Sequence, residues 1–66
     1  MQVHVNGEAQ QLEPGATVAA LLAHLKIDST QVAVEVNAEV VRRARHGLVA
    51  LQPGDQVEIV TFVGGG

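Results

Sequence analysis

The stretch that decides the fold is Thr17-Val18-Ala19-Ala20-Leu21-Leu22-Ala23-His24-Leu25-Lys26. Its large apolar residues recur at intervals of three and four, which places them on one stripe of an α-helix. The alanines between them favour helix, Thr17 is a suitable N-cap, and the charge of Lys26 suits the C-terminal dipole. The sequence therefore predicts one amphipathic helix from Thr17 to about Lys26, which must bury its stripe against another layer.

The residues before the helix indicate a β-hairpin. Apolar and polar residues alternate over residues 1–5, as in a half-buried strand. Asn6-Gly7 follows, and this pair favours a tight hairpin turn because both residues tolerate positive φ. Residues 8–13 then return as a second strand, with Leu12 on the apolar face.

The residues after the helix indicate three more strands. The valines at 32, 34 and 36 alternate with smaller or charged residues, and Asn37-Ala38 leads into a short strand at 39–41. Residues 42–47 look irregular, residues 48–51 add at most a short element, and Pro53-Gly54 marks a turn. The last strand runs from Val57 to about Phe62. One helix on one sheet predicts a two-layer α+β domain.

Composition limits the classes of function. The chain has 66 residues, no cysteine and a net charge of −3, which argues for one small domain without a deep enclosed pocket and against an enzyme. An acidic chain is a poor nucleic-acid binder, and no apolar run approaches membrane-spanning length. The sequence predicts a soluble, cytoplasmic protein. The cluster Arg42, Arg43 and Arg45 is either a solvated loop or an anion site.

The last strand is followed by Val63-Gly64-Gly65-Gly66. Glycine packs poorly and loses much backbone freedom on folding, so this segment is predicted to be a flexible tail after a domain of residues 1–62. One interpretation is an ordinary frayed terminus. The other is a thin lead that threads a narrow channel in a partner and presents the Gly66 carboxylate as the reactive group.

The last strand also carries apolar residues on two faces. If Val57 and Ile59 point into the core, Val60 and Phe62 point to solvent, beside the tail. This arrangement is expected of a docking surface for a partner protein. The alternative is a strand that twists and packs Phe62 against the edge of the core.

The chain resembles the thiamine-biosynthesis sulfur carrier (ThiS) family. The resemblance runs through nearly the whole chain in order, in the stretches Val5-Asn6-Gly7-Glu8, Gly15-Ala16-Thr17-Val18, Val32-Ala33-Val34, Glu39-Val40-Val41, Pro53-Gly54-Asp55-Gln56-Val57-Glu58-Ile59-Val60 and Val63-Gly64-Gly65-Gly66. It implies a β-grasp, ubiquitin-like fold, with a mixed sheet of four to five strands packed on one main helix. Where members often carry a proline and then a large residue, this chain has Arg42-Arg43-Ala44-Arg45-His46.

The resemblance also implies a mechanism in which the chain is a carrier rather than an enzyme. A ubiquitin-activating-enzyme-like (ThiF-like) partner would use ATP to adenylate the Gly66 carboxylate, and a sulfur donor such as a cysteine desulfurase would convert it to a thiocarboxylate. Thiazole synthase (ThiG-like) would take that sulfur to build the thiazole ring. The partners would contact Val60, Phe62, Val63, Gly64 and Gly65. The chain itself has no Walker phosphate loop, so no bound cofactor is expected and ATP is used by the activating partner.

Three other functions remain open from the sequence. A molybdopterin synthase small subunit would share the fold and tail but is usually longer and more aromatic. A ubiquitin-like modifier would be joined to lysines through the same tail, and a β-grasp binding module would act through its sheet alone. The histidines at 4, 24 and 46 are not at metal-ligand spacing. Glu35, Glu39 and Glu58 are interpreted as a solvated face or as charges that steer a basic partner.

Overall fold

A five-stranded mixed sheet packs on one α-helix in the computed structural model, which describes residues 1–62. The elements are β1 (Gln2–Val5), β2 (Glu8–Gln11), α1 (Val18–His24), β3 (Val32–Val36), β4 (Glu39–Val41) and β5 (Gln56–Thr61), with 3₁₀ helices at Ser29–Gln31 and Arg43–Arg45. The strands follow the order β2-β1-β5-β3-β4, with β1 and β5 parallel and the other neighbours antiparallel. This architecture confirms the predicted α+β, β-grasp fold.

The β1–β2 hairpin forms at the predicted turn. Asn6 and Gly7 have φ of 50° and 85°, as a type I′ turn requires. The two-residue loop pairs Val5 with Glu8, and Leu12 packs half-buried against the core as expected. Strand β2 ends at Gln11, two residues earlier than predicted.

The side chain of Asn6 extends the pairing of β1 with β5 beyond the end of β1. Its Nδ2 donates to the carbonyl oxygen of Ile59 at 3.1 Å, and its Oδ1 accepts from the N–H of Ile59 at 2.8 Å. The backbone of Asn6 has turned away at positive φ, so the side-chain amide takes the place of a peptide group. The backbone N–H and carbonyl oxygen of Ile59 are thereby hydrogen-bonded to a residue 53 positions away in sequence.

We expect Asn6→Gly to lower the free energy of unfolding by about 1 to 2 kcal/mol, because it removes two hydrogen bonds at buried Ile59. Glycine keeps the positive φ of the turn, so strain does not contribute. Urea denaturation followed by circular dichroism measures the change. In the comparison variant, Asn6→Asp, a carboxylate oxygen faces the carbonyl oxygen of Ile59 in place of the donor, so we expect it to be at least as destabilised as Asn6→Gly. An Asn6→Gly domain as stable as the wild type would contradict the assigned role.

Helix α1 begins and ends with recognisable caps. The Oγ1 of Thr17 accepts from the N–H of Ala20 at 3.1 Å, which confirms the predicted N-cap. At the other end, the N–H groups of Lys26 and Ile27 donate to the carbonyl oxygens of Ala23 and Leu22 at 3.1 and 2.9 Å. With Lys26 at φ 59°, these bonds form a Schellman motif, so the helix ends at His24, two residues before the predicted end.

The segment between β4 and β5 closes the core at the N-terminal end of α1. The N–H groups of Val18 and Ala19 donate to the carbonyl oxygens of Val49 and His46 at 3.0 and 2.8 Å. These bonds satisfy helix donors that have no partner inside the helix. Part of the stretch predicted as irregular is a 3₁₀ helix, Arg43–Arg45, and the residue that follows it, His46, is the one bonded to α1. The predicted short element near Leu51 is a single β-bridge between Ala50 and Thr17.

The turn between β3 and β4 contains a strained alanine. Asn37 and Ala38 both have positive φ, at 51° and 69°. The side chain of Asn37 compensates for its own conformation, since its Oδ1 accepts from the N–H of Gln56 at 3.0 Å. Ala38 has no polar side-chain atom that could make such a bond. For most residues with a Cβ atom, this conformation costs about 1–2 kcal/mol.

We expect Ala38→Gly to raise the free energy of unfolding by up to about 1 kcal/mol, because relief of the strain exceeds the added entropy of the unfolded chain. Thermal or urea denaturation measures this effect. Ala33→Gly, in the extended strand β3, is the matched control and should lower stability. Equal losses for both variants would show that Ala38 is not strained.

The core lies between the inner face of the sheet and α1. Its buried apolar side chains are Val3, Val5, Val18, Leu21, Leu22, Val32, Val34, Leu51, Val57 and Ile59. Among residues 1–62, no helix is long and apolar enough to cross a membrane.

Candidate functional site

Strand β5 and the residue that follows it present two exposed apolar side chains on the face opposite the helix. Val57 and Ile59 are buried in the core, whereas Val60 and Phe62 are 59% and 60% exposed. The period of two in a strand separates these two sets. Both residues therefore point to solvent, as predicted, and Phe62 is not packed into the core. Their role in docking stays a prediction.

Neighbouring strands extend this apolar surface. Ala33 lies directly opposite Val60, and Glu35 lies opposite Glu58 on one side and Val40 on the other. Residues directly opposite in a sheet share a face, so these residues line the same outer side of the sheet. We call this surface the docking face and define it by Ala33, Val40, Val60 and Phe62, with Glu35 and Glu58 between them. Val40 is 71% exposed.

Glu35 and Glu58 form a like-charge pair on the docking face. They are cross-strand partners on neighbouring strands, and like charges in that position destabilise a sheet. The third predicted acid, Glu39, is exposed on β4. The arrangement places negative charge among exposed apolar side chains, a surface that complements one with apolar and basic groups.

The backbone at the end of β5 is held in place. The N–H of Phe62 donates to the carbonyl oxygen of Gln31 at 2.9 Å. Gln31 ends a 3₁₀ turn whose start is fixed by Asp28, since its Oδ1 accepts from the N–H and Oγ1 of Thr30 at 2.8 and 2.7 Å. These two bonds hold the pKa of Asp28 below its usual value, and the bond from the backbone N–H of Thr30 has the larger effect. The described chain is therefore fixed up to Phe62.

The other predicted site residues lie outside the described part of the chain. They are Val63, Gly64, Gly65 and Gly66. In sequence they follow Phe62 directly, so the attachment point of this segment is the edge of the docking face.

An open groove runs from Phe62 to the end of β4. It has a volume of about 370 Å³, and its lining includes Thr30, Ala33, Val40, Arg42, Arg43 and Phe62. We call it the arginine groove. A hollow of about 510 Å³ between β2 and α1 is larger, but no predicted site residue lines it. The structure thus places two of the three clustered arginines, Arg42 and Arg43, in the lining of the same groove as Phe62.

His46 is the residue whose environment sequence reasoning missed. It is only 4% exposed, and its Nε2 lies 3.1 Å from the carbonyl oxygen of Val41. Because a carbonyl only accepts, Nε2 carries the proton, and Nδ1 is left buried without a partner. The irregular segment has no period from which burial could be inferred. His46 packs under the arginine groove, and so supports its floor.

The remaining titratable residues do not form a metal site in the described part of the chain. Across residues 1–62, no three His, Asp or Glu side chains lie close enough together to hold an ion. His4 is half-buried on β1, and His24 is exposed at the end of α1.

Comparison with known proteins gives consistent results. The sequence model of the ThiS family matches residues 3–66. The sulfur carrier protein ThiS of Bacillus subtilis is 42% identical over 50 residues, which cover 76% of each chain. The thiazole synthase of Paramagnetospirillum magneticum is 46% identical over all 66 residues, and the chain spans 20% of that protein's length. In structure, the thiamine biosynthesis protein ThiS of Geobacter metallireducens matches with a TM-score of 0.85 and 35% identity, covering all of both chains.

Proposed function

This chain belongs to the ThiS family, and from that premise we propose that it is a sulfur carrier protein of thiamine biosynthesis that carries sulfur as a thiocarboxylate on Gly66. The observation that carries the proposal is the position of the glycine segment. It follows an anchored Phe62 at the edge of an exposed apolar face. Partners can therefore bind the folded domain and take the segment into a channel at the same time.

The proposed chemistry begins with activation by a partner. A carboxylate is a poor electrophile, and this chain has no phosphate-binding loop for ATP. In the ThiF-like adenylating partner, the Gly66 carboxylate oxygen attacks the α-phosphorus of ATP. The bond to the β-phosphate oxygen breaks, pyrophosphate leaves, and an acyl-adenylate forms. The activated carbon is then a good electrophile with AMP as its leaving group.

Sulfur transfer follows at the same carbon. A sulfur nucleophile forms a C–S bond, and the C–O bond to AMP breaks. If the donor is a protein persulfide from a cysteine desulfurase, a thiol must then reduce the S–S bond and release the thiocarboxylate. The chain has no cysteine, so both sulfur and reductant come from other molecules. The ionised thiocarboxylate is the nucleophile that delivers sulfur.

The proposed acceptor is a thiazole synthase. Support comes from the thiazole synthase of P. magneticum, which contains a stretch that matches this chain over its whole length. Carrier and synthase then act on the same sulfur atom. The glycines matter for this step as well, since Gly64 to Gly66 span at most about 10 Å when extended and carry no side chain to obstruct a second channel.

Within the carrier, the docking face makes the contacts outside the channel. Val60 and Phe62 supply apolar area to bury, and Glu35 with Glu58 favours a partner surface that carries basic groups around an apolar centre. Val63, Gly64 and Gly65 enter the channel. This division assigns binding strength to the sheet and chemical access to the glycine segment.

Intact mass measurement with C-terminal fragmentation tests the proposal. The chain is incubated with ATP, an adenylating partner of the ThiF kind and a sulfur source. We expect one oxygen to be replaced by sulfur, with the change localised to Gly66. Localisation is essential, because oxidation of Met1 gives nearly the same mass shift. A chain lacking Gly66 is the control and should stay unmodified.

An unmodified Gly66, with an enzyme shown to be active on another carrier, would contradict the proposal. It would favour a β-grasp binding module or a modifier joined to lysines. Isopeptide-linked adducts in the same reaction would identify the modifier.

A further inference from the structure

The distribution of positive charge in this chain is uneven. The protein has four Lys and Arg residues and a net charge of −3, yet three of the four bases are Arg42, Arg43 and Arg45. All three are exposed on the segment between β4 and the buried His46. A chain that is acidic elsewhere thus has one basic end, and two of its arginines line the groove at Phe62.

The nearby acids do not neutralise these arginines. Within residues 1–62, no arginine makes an ion pair with a carboxylate, although the exposed Glu39 lines a neighbouring hollow together with Arg42 and Arg45. Asp28 is held by Thr30, and Arg43 makes only the smallest contribution to its lowered pKa. Asp55 accepts from Asn37 and from the backbone of Gln52. The guanidinium groups therefore keep their hydrogen-bonding capacity for another molecule.

The shape and lining of the arginine groove favour a peptide segment as its occupant. The groove is open along its length and has a volume of about 370 Å³. Val40 and Ala33 supply apolar surface, and Arg42 and Arg43 supply planar donors that match carboxylates in a bidentate manner. A peptide segment that carries acidic side chains beside a small apolar one would fit both the arginine donors and the apolar surface of the groove.

Electrostatics point to the adenylating partner as the source of that segment. The proposed activation brings an acidic carrier with a terminal carboxylate toward an enzyme loaded with polyanionic ATP. Long-range repulsion opposes this encounter. The basic end beside Phe62 is where attraction can offset it, close to the segment that must enter the channel.

We propose that the arginine groove, through Arg42 and Arg43, binds an acidic segment of the adenylating partner and thereby speeds the encounter that places the glycine segment in its active site. The inference rests on the proposed function and adds the chemistry of a second contact. The docking face and the groove share Ala33, Val40 and Phe62, so the partner's matching surface is basic where it covers Glu35 and Glu58 and acidic where it covers the arginines.

Charge reversal with a matched control tests the inference. Arg43→Glu and Lys26→Glu change the net charge by the same amount, and Lys26 lies at the end of α1, outside the lining of the groove. Association rate constants with the adenylating partner are measured by stopped flow over a series of salt concentrations. Circular dichroism verifies that both variants are folded.

Arg43→Glu is expected to slow association about tenfold at low ionic strength, with the difference shrinking as salt screens the charges. Lys26→Glu should slow it less than about twofold. Equal effects of the two variants would overturn the inference and leave the proposed function intact. Failure of the wild-type chain to bind at all would contradict the proposed function, and this inference with it.

Self-association is the remaining alternative, because the acidic docking face of a second copy also complements the groove. Sedimentation velocity of the chain alone distinguishes the two. A monomer over the concentrations used for binding supports the partner as occupant. A dimer that Arg43→Glu dissociates would show that a second copy occupies the groove, and the inference would be wrong.

Discussion

Gly65→Val is expected to abolish adenylation of Gly66 while residues 1–62 stay folded. Valine adds a branched Cβ that restricts the backbone and widens the segment. In a channel shaped for glycine, that bulk displaces the carboxylate from the α-phosphate. A displacement of about 1 Å can cost about a hundredfold in rate, so we expect kcat/KM for adenylation to fall at least that far. Pyrophosphate release with the adenylating partner measures it.

A matched control separates the channel from the substitution itself. Gly47→Val makes the same change at an exposed glycine with open space around its Cβ position. The free energy of unfolding of both variants should lie within about 0.5 kcal/mol of the wild-type value, as is usual for surface changes. Only Gly65→Val should lose adenylation. A Gly65→Val chain adenylated at the wild-type rate would rule out a narrow channel.

Phe62→Asp is expected to weaken binding of the adenylating partner about a hundredfold, or about 2.7 kcal/mol. Large aromatic side chains dominate interface energies, and a carboxylate in their place would be desolvated beside the acids of the docking face. The domain should still fold, because the side chain is 60% exposed and its backbone N–H keeps the bond to Gln31. Isothermal titration calorimetry gives the affinity.

Leu48→Asp is the control for this second prediction. Leu48 is 72% exposed and lies outside both the docking face and the arginine groove, and its substitution adds the same charge. It should leave affinity within about threefold, as for residues away from a hot spot. Equal losses for the two variants would show a general charge effect. Unfolding of Phe62→Asp would show that Phe62 supports the domain, and the docking role would have to be abandoned.

Features set by neighbouring residues could be predicted from the sequence. A two-residue hairpin turn requires positive φ at both of its residues. Asn6-Gly7 tolerates this conformation and few other pairs do, so the hairpin turn and its register follow from the sequence. Thr17 caps a helix whose stripe has helical spacing, and the alternation in β5 separates Ile59 from Val60. In each case the cause lies within a few residues along the chain.

Features that depend on distant contacts could not be predicted in this way. The amide of Asn6 binds Ile59, and nothing near Asn6 in sequence indicates that. His46 is buried, with its backbone carbonyl bonded to α1 and its side chain to the end of β4, although it stands among exposed arginines. The same packing brings Arg42 and Arg43 beside Phe62.

The sequence by itself determined the main helix and the strands, the opposite faces of Ile59 and Val60, and the resemblance that implied the fold. Only the tertiary structure decided that Phe62 is exposed, that β5 lies between β1 and β3, and that one groove is lined by Phe62 and by Arg42 and Arg43. The physical reason is range. Backbone preferences and side-chain periodicity act over a few residues, whereas strand order and grooves arise from burial of apolar area, which depends on the whole chain at once.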